Sequence, residues 1–194
     1  MRRSAPFVVI AAAVFALAGC SNSAYPTPTV DVPTAAAPTT PSAPTSERGF
    51  LVKQIGETGG WGVSNGDISV KFVVDKITVD PQCTNRFASA SEHGHFVQVD
   101  MRVETTPTMP TNMGYQINPF SWSAVGADGV TESSIATGSS YSCIDNSKQL
   151  TTQMTPGSKY RGSLVFDVTS PTGTLLFPHP NPSLGGWEWT YGAA

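Results

Sequence analysis

The chain has little with which to bind a metal or present a large charge. Its 194 residues include only 3 cysteines and 3 histidines, and charged residues make up 13%. His93 and His95 are neighbours and His179 is distant. That falls short of the three or four ligands a zinc site needs. After Arg2-Arg3 there is no run of Lys or Arg, which excludes the basic footprint of a nucleic-acid binder or a polybasic membrane patch. No apolar run reaches the ~20 residues that span a bilayer. Asp and Glu are scattered, so no carboxylate pair stands out for glycan hydrolysis. No stretch combines helical period with helical length, which excludes a helix bundle.

What is present begins at the N-terminus. Arg2 and Arg3 precede an apolar run from Phe7 to Ala18, and Leu17-Ala18-Gly19-Cys20 closes it. A positive start, a short apolar middle and small residues before a cut are the parts of a secretory signal. Leu-Ala-Gly-Cys resembles the lipobox of bacterial lipoproteins. The resemblance implies a thioether-linked diacylglycerol on Cys20, cleavage just before it, and often a third acyl chain on the new amino terminus. Two competing readings are a transmembrane anchor, for which the run is short, and a secreted protein with Cys20 near the cut by chance. Two or more acyl chains hold a protein stably where one does not. The expected place is therefore the outer face of the cell membrane. Without residues 1–19, 9 Lys+Arg remain against 14 Asp+Glu, a net charge of −5.

With Cys20 lipidated, Cys83 and Cys143 remain. In an oxidising compartment they are expected to pair. The loop closed would be about 60 residues, which the chain-entropy model values at about 4 kcal/mol. Two free thiols are the alternative. Zinc is disfavoured, because neither cysteine has a second ligand at close spacing.

Residues 20–47 read as a lipidated cysteine followed by a disordered linker. Pro26, Pro28, Pro33, Pro38, Pro41 and Pro44 alternate with Thr, Ser and Ala. Such a segment cannot bury enough apolar surface to offset its ordering entropy. Extended as polyproline II it would reach roughly 80 Å. Thr and Ser beside Pro also resemble glycosylated stalks.

From Arg48 to Ala194 the dominant period is two, and about 150 residues suffice for one domain with a core. Ile68, Val70, Phe72 and Val74 share one face. Then the phase flips to Ile77 and Val79, which predicts a bulge near Val74-Asp75. Val97, Val99, Met101 and Val103 form a second row. Tyr160, Gly162, Leu164, Phe166 and Val168 form a third, and Trp187, Trp189 and Tyr191 a fourth. Shorter strands are expected over 50–55, 120–125, 130–135, 149–154 and 174–177. Turn signals separate them at Gly126-Ala127-Asp128-Gly129 and Thr155-Pro156-Gly157-Ser158. The expected fold is an all-β antiparallel sandwich or small barrel.

Gln54-Ile55-Gly56-Glu57-Thr58, Gly94-His95-Phe96-Val97-Gln98-Val99-Asp100, the turn at 126–129, and Met154-Thr155-Pro156-Gly157-Ser158-Lys159-Tyr160-Arg161-Gly162 occur in that order. The order resembles a family of immunoglobulin-like domains of unknown function on lipoproteins of Gram-positive bacteria and actinobacteria, related to a small secreted mycobacterial antigen. It covers about Gly56 to Tyr191. The resemblance implies an immunoglobulin-like β-sandwich and brings no catalytic residues. Segments 80–94, 105–118 and 136–148 are longer than the family pattern, so any site there is this chain's own.

Candidate chemistry is sparse. Gly62-Val63-Ser64-Asn65-Gly66 fits Gly-x-Ser-x-Gly, but a nucleophile elbow needs a strand before it and a helix after it. Here a glycine-rich turn precedes and a strand follows. Trp187, Trp189 and Tyr191 form either a stacking platform for sugars or, more commonly for such a row, a core face. Met109 and Met113 offer an adaptable contact surface or a loop tucked over the core. If Cys83 and Cys143 are bonded, Asn85, Arg86, Phe87, Tyr141 and Asp145 gather into candidate partner-contact loops. A simple up-and-down count puts these loops at opposite ends, so either the strand at 130–135 is short or residues 136–142 run back along the domain. The expected function is a non-enzymatic binding or accessory module of the cell envelope. It needs no cofactor, no metal and no nucleic acid. Its partners are the membrane, through Cys20, and a protein or other envelope component. A carrier of a small apolar ligand or envelope lipid is the first alternative, and an envelope glycan enzyme the second.

Overall fold

The computed structural model describes residues 44–62, 68–111 and 116–192. These belong to the second of two compact units, Pro41–Ala194. Cys20, the Gly-x-Ser-x-Gly serine and Met113 lie outside the described residues.

Two sheets face each other. One has the order β1-β9-β8-β5-β6 and the other β2-β3-β4-β7. The strands are β1 (Phe50–Val52), β2 (Thr58–Trp61), β3 (Val70–Val79), β4 (His95–Thr105), β5 (Ser123–Gly126), β6 (Thr131–Glu132), β7 (Lys159–Val168), β8 (Gly173–Pro178) and β9 (Gly186–Tyr191). One short helix, α1 (Gly138–Cys143), lies between β6 and β7. This is the antiparallel sandwich expected, with one exception. β1 runs parallel to β9.

The period-two rows set the core. Val70, Phe72, Val74, Val97, Val99, Met101, Val103, Leu164, Phe166 and Val168 are all buried on the inner face of one sheet. Trp122, Ala124, Leu175, Phe177, Trp187, Trp189 and Tyr191 are buried opposite them. Alternate residues share a face, so every second apolar residue enters one contiguous core. The expected bulge is present. Val74 pairs Met101 but Lys76 pairs Asp100, leaving Asp75 as the extra residue. The phase change then turns Ile77 and Val79 back toward the core. Arg102 holds Asp75 with two nitrogens, at 2.7 and 2.8 Å, and this ion pair keeps the Asp75 carboxyl below its ordinary value. The turn at Gly126–Gly129 joins β5 to β6, with Gly129 at φ 82°.

Several expectations are corrected. β2 reads Thr-Gly-Gly-Trp, and those glycines suggest a turn. It pairs with β3 instead, because a side chain at Gly59 would overlap the Phe72 ring and one at Gly60 the Val70 carbonyl. Close approach of backbone and ring requires glycine here. Ile68 precedes β3 and is 42% exposed, outside the core row. The strand expected over 130–135 shrinks to two residues, and that over 149–154 to a single bridge between Gln149 and Ser163. The fold also includes residues before Arg48. Val52 N–H donates to the Pro44 carbonyl at 2.8 Å, and Ser46 Oγ to the buried Glu188 carboxylate at 3.0 Å. The linker drawn to residue 47 thus shares its last four residues with the fold.

Candidate functional site

Phe96 and Val165 stand at positions where the alternation of β4 and β7 calls for polar residues. Both are buried, at 7% exposure. They make a second, smaller apolar cluster with Cys83, Cys143 and Ile144 on the outer face of the sheet. The cover is the pair of long segments 80–94 and 136–148. Cys83 and Cys143 are disulfide-bonded, as expected. Beside the bond the Cys143 carbonyl accepts from Thr84 N–H at 2.8 Å and from Asn85 N–H at 3.2 Å. Both routes weighed for bringing the cysteines together are used: β6 is short, and the chain after it returns along β7 as α1.

α1 starts at Thr137, whose side chain accepts from Ser140 N–H while Ser140 Oγ accepts from Thr137 N–H. This reciprocal cap satisfies two donors at the helix start. The Thr137 hydroxyl also donates to Asp167 at 2.9 Å. Asp167 is fully buried on β7. Its carboxylate accepts further hydrogen bonds from Ser91 Oγ, Glu92 N–H at 2.8 Å and His93 N–H at 3.0 Å. Burial by itself would raise its pKa. The hydrogen bonds from Ser91, Glu92, His93 and Thr137 outweigh burial and hold it below the ordinary aspartate value. One carboxylate therefore ties both long segments to the sheet. Its side chain falls on the nominally polar face of β7, so sequence reading passes over it. An acidic residue amid the apolar run Leu164-Val165-Phe166-Asp167-Val168 is the signal that was available.

Ser91, His93 and Asp167 do not form a nucleophilic relay. The Ser91 hydroxyl donates to the carboxylate itself, and the His93 ring meets the Asp167 backbone carbonyl. A relay needs the imidazole between nucleophile and carboxylate. His95 turns elsewhere, to Asp80 at 2.9 Å. The two neighbouring imidazoles thus serve different partners, and among the described residues no group of three His, Cys, Asp or Glu side chains converges on one point. Trp187, Trp189 and Tyr191 are core, at 4%, 1% and 2% exposure, not an external platform. Met109 is buried in the core as well.

The five loop candidates divide. Asn85 meets the backbone of Cys143 and Ile144. Arg86 and Phe87 stand out into solvent, the guanidinium 4.4 Å over the ring. Asp145 opens a single 3-10 turn and faces Lys148 at 3.7 Å. Tyr141 points away from this group, to Phe120, with ring centroids 5.8 Å apart. Phe120 is 66% exposed and Tyr141 38%.

That ring pair stands at one wall of a groove of about 920 Å³. The groove lies beside β7, between the 3-10 turn Pro119–Ser121, the end of α1 and the chain over 149–155. Its apolar lining comes from Ile144, Leu150, Met154, Leu164 and Val165, all buried. Its walls are braced by amides. Gln116 accepts from Met154 N–H at 2.7 Å, and Gln149 donates to the Tyr141 carbonyl at 2.8 Å. Among the described residues lining it, none is charged. Burial pushes the Tyr141 phenol above its ordinary value, so it is neutral at physiological pH. Sequence reading found Tyr141 but not Phe120 as its partner, because the groove collects residues from three segments with no shared period.

No protein-family model matches the chain, and no curated protein sequence matches it. A crystal structure of MPT63, a secreted protein from Mycobacterium tuberculosis, is similar to it with a TM-score of 0.49 and 13% sequence identity, covering 73% of this chain and 97% of that one.

Proposed function

We propose that this protein is an exported lipoprotein, anchored through Cys20 to the outer face of the cytoplasmic membrane, whose immunoglobulin-like sandwich serves as a non-enzymatic binding module. Residues from 21 to the start of the fold act as a stalk that holds the module clear of the membrane. The groove beside Phe120 and Tyr141 is its contact surface.

One observation carries the choice among readings. Among the described residues an aromatic cluster packs the middle of the core, while the groove at the β7 edge of the sandwich is open and pre-formed. Trp122 stacks on Phe177 at 4.6 Å, and Trp61, Phe72, Trp187 and Trp189 close around them at 5.6–5.8 Å. A carrier with its ligand between the sheets would need that space. A glycan hydrolase would need two carboxylates in a cleft, and the groove's described lining has none. The disulfide supports export, since such bonds persist in oxidising compartments.

The test has two arms. Cys20→Ser should move the protein from the detergent phase to the aqueous phase, and identical partitioning of the two forms would remove the anchor. A photoreactive phenylalanine analogue in place of Phe120, activated in intact cells, should give a discrete adduct, while one at the sandwich surface residue Lys76 should not. Equal, diffuse labelling at both would remove the groove as the contact surface.

A further inference from the structure

We infer that the groove takes a neutral oligosaccharide of about two to three rings. This rests on the reading of the groove as the contact surface and names its ligand class.

Charge is the first argument. The mature chain carries a net charge of −5, yet the groove's described lining contains no Asp, Glu, Lys, Arg or His. A ligand charge desolvated there would find no counter-charge, and burying an unpaired charge is heavily penalised. An anionic glycan, a phosphate or a charged peptide is therefore disfavoured, and a neutral ligand is not.

The polar groups are the second. In the lining the amides of Gln116, Asn118, Asn146 and Gln149 already bond to the protein, Gln116 through both its oxygen and its nitrogen, while Gln153 and the hydroxyl of Thr152 are exposed to a ligand. Amides and hydroxyls each both donate and accept. Vicinal sugar hydroxyls do the same, so they can pair with these groups in either direction.

The aromatic pair is the third. Phe120 and Tyr141 expose ring surface at the groove, inclined at 37° to each other. A pyranose has an apolar face of C–H groups and a polar edge. Such a ring can lay its face on an aromatic side chain while its edge reaches the amides. The volume, about 920 Å³, is at the upper end of small-ligand sites and matches a short oligosaccharide. The amide braces also make the site rigid in advance, which lowers the ordering cost of binding.

The experiment uses the full mature chain with Cys20→Ser, so that no lipid is needed for handling. Backbone amide shifts are followed by NMR while the N-acetylglucosamine tetramer, maltotetraose, a tetramer of galacturonic acid and a Thr/Pro-rich peptide are added in turn. At least one of the two neutral sugars should saturably shift amides of Phe120, Tyr141, Gln149 and Thr152, with Kd at or below about 1 mM. The acidic tetramer should bind at least about tenfold more weakly. Phe120→Ala and Tyr141→Ala should each weaken the neutral sugar about tenfold, roughly 1.4 kcal/mol, with the urea midpoint unchanged. If neither neutral sugar moves the groove amides, or the moved amides lie elsewhere, the inference is overturned. If the peptide alone moves them, the sugar is overturned and the binding-module reading stands. A discrete adduct from Phe120 in cells with no sugar response separates the two in the same way.

Discussion

Removing the Asp167 carboxylate should loosen both long segments at once. Asp167→Ala deletes the acceptor of hydrogen bonds from Ser91, Glu92, His93 and Thr137. A hydrogen bond to a charged group contributes about 1.5–3 kcal/mol, and these are not additive. Glu92 is exposed, so water can satisfy its N–H in the variant. Counting two of the four as lost outright gives a destabilisation of about 3–6 kcal/mol. Asp167→Asn keeps one acceptor oxygen but presents an amide to donors, so it should cost about 2–3 kcal/mol. The pH dependence follows from the direction of the shift. The folded carboxyl titrates below its ordinary value, so its contribution is fully present above the unfolded pKa of about 3.9. It is lost as pH falls through the lower folded value. Urea unfolding of wild type and Asp167→Asn at pH 7 and again at pH 3 measures this. The gap between the two proteins should be largest at pH 7 and narrow at pH 3. An unchanged gap, or a near-neutral Asp167→Ala, would refute the idea that this carboxylate ties the segments down.

Trp187→Ala should destabilise the fold by about 3–5 kcal/mol in denaturant unfolding, because the ring is 4% exposed and within 5.0–5.9 Å of Phe72, Phe177 and Trp61. A loss below about 1 kcal/mol would remove it from the core. Reduction of Cys83–Cys143, which spans a sequence separation of 60, should cost about 4 kcal/mol in the chain-entropy model. Proteolysis of the reduced form should begin in 80–94 or 136–148, and cleavage first within a sheet strand would contradict the stapling role.

How much was legible follows the range of each interaction. The core face was legible because a strand's side chains alternate, so Val97-Val99-Met101-Val103 and Trp187-Trp189-Tyr191 announce their side without knowledge of partners. The bulge was legible because one extra residue at Asp75 inverts that phase. The disulfide was legible by elimination, once Cys20 was assigned to lipid. β2 was not, because its glycines are there for Phe72 and Val70 on another strand, and a local pattern cannot distinguish that from a turn.

The sequence by itself determined the two-faced strands, their turns and the cysteine pair, since each depends on local period or on counting. Only the tertiary structure decided that Phe96 and Val165 on the polar side acquire a cover, and that Asp167 collects donors 30 to 76 residues away. It also decided that Phe120, Tyr141 and Leu150 enclose one groove. These arrangements arise from packing between segments that share no period and lie far apart in the chain. Their geometry exists only after the sheets have brought the segments together.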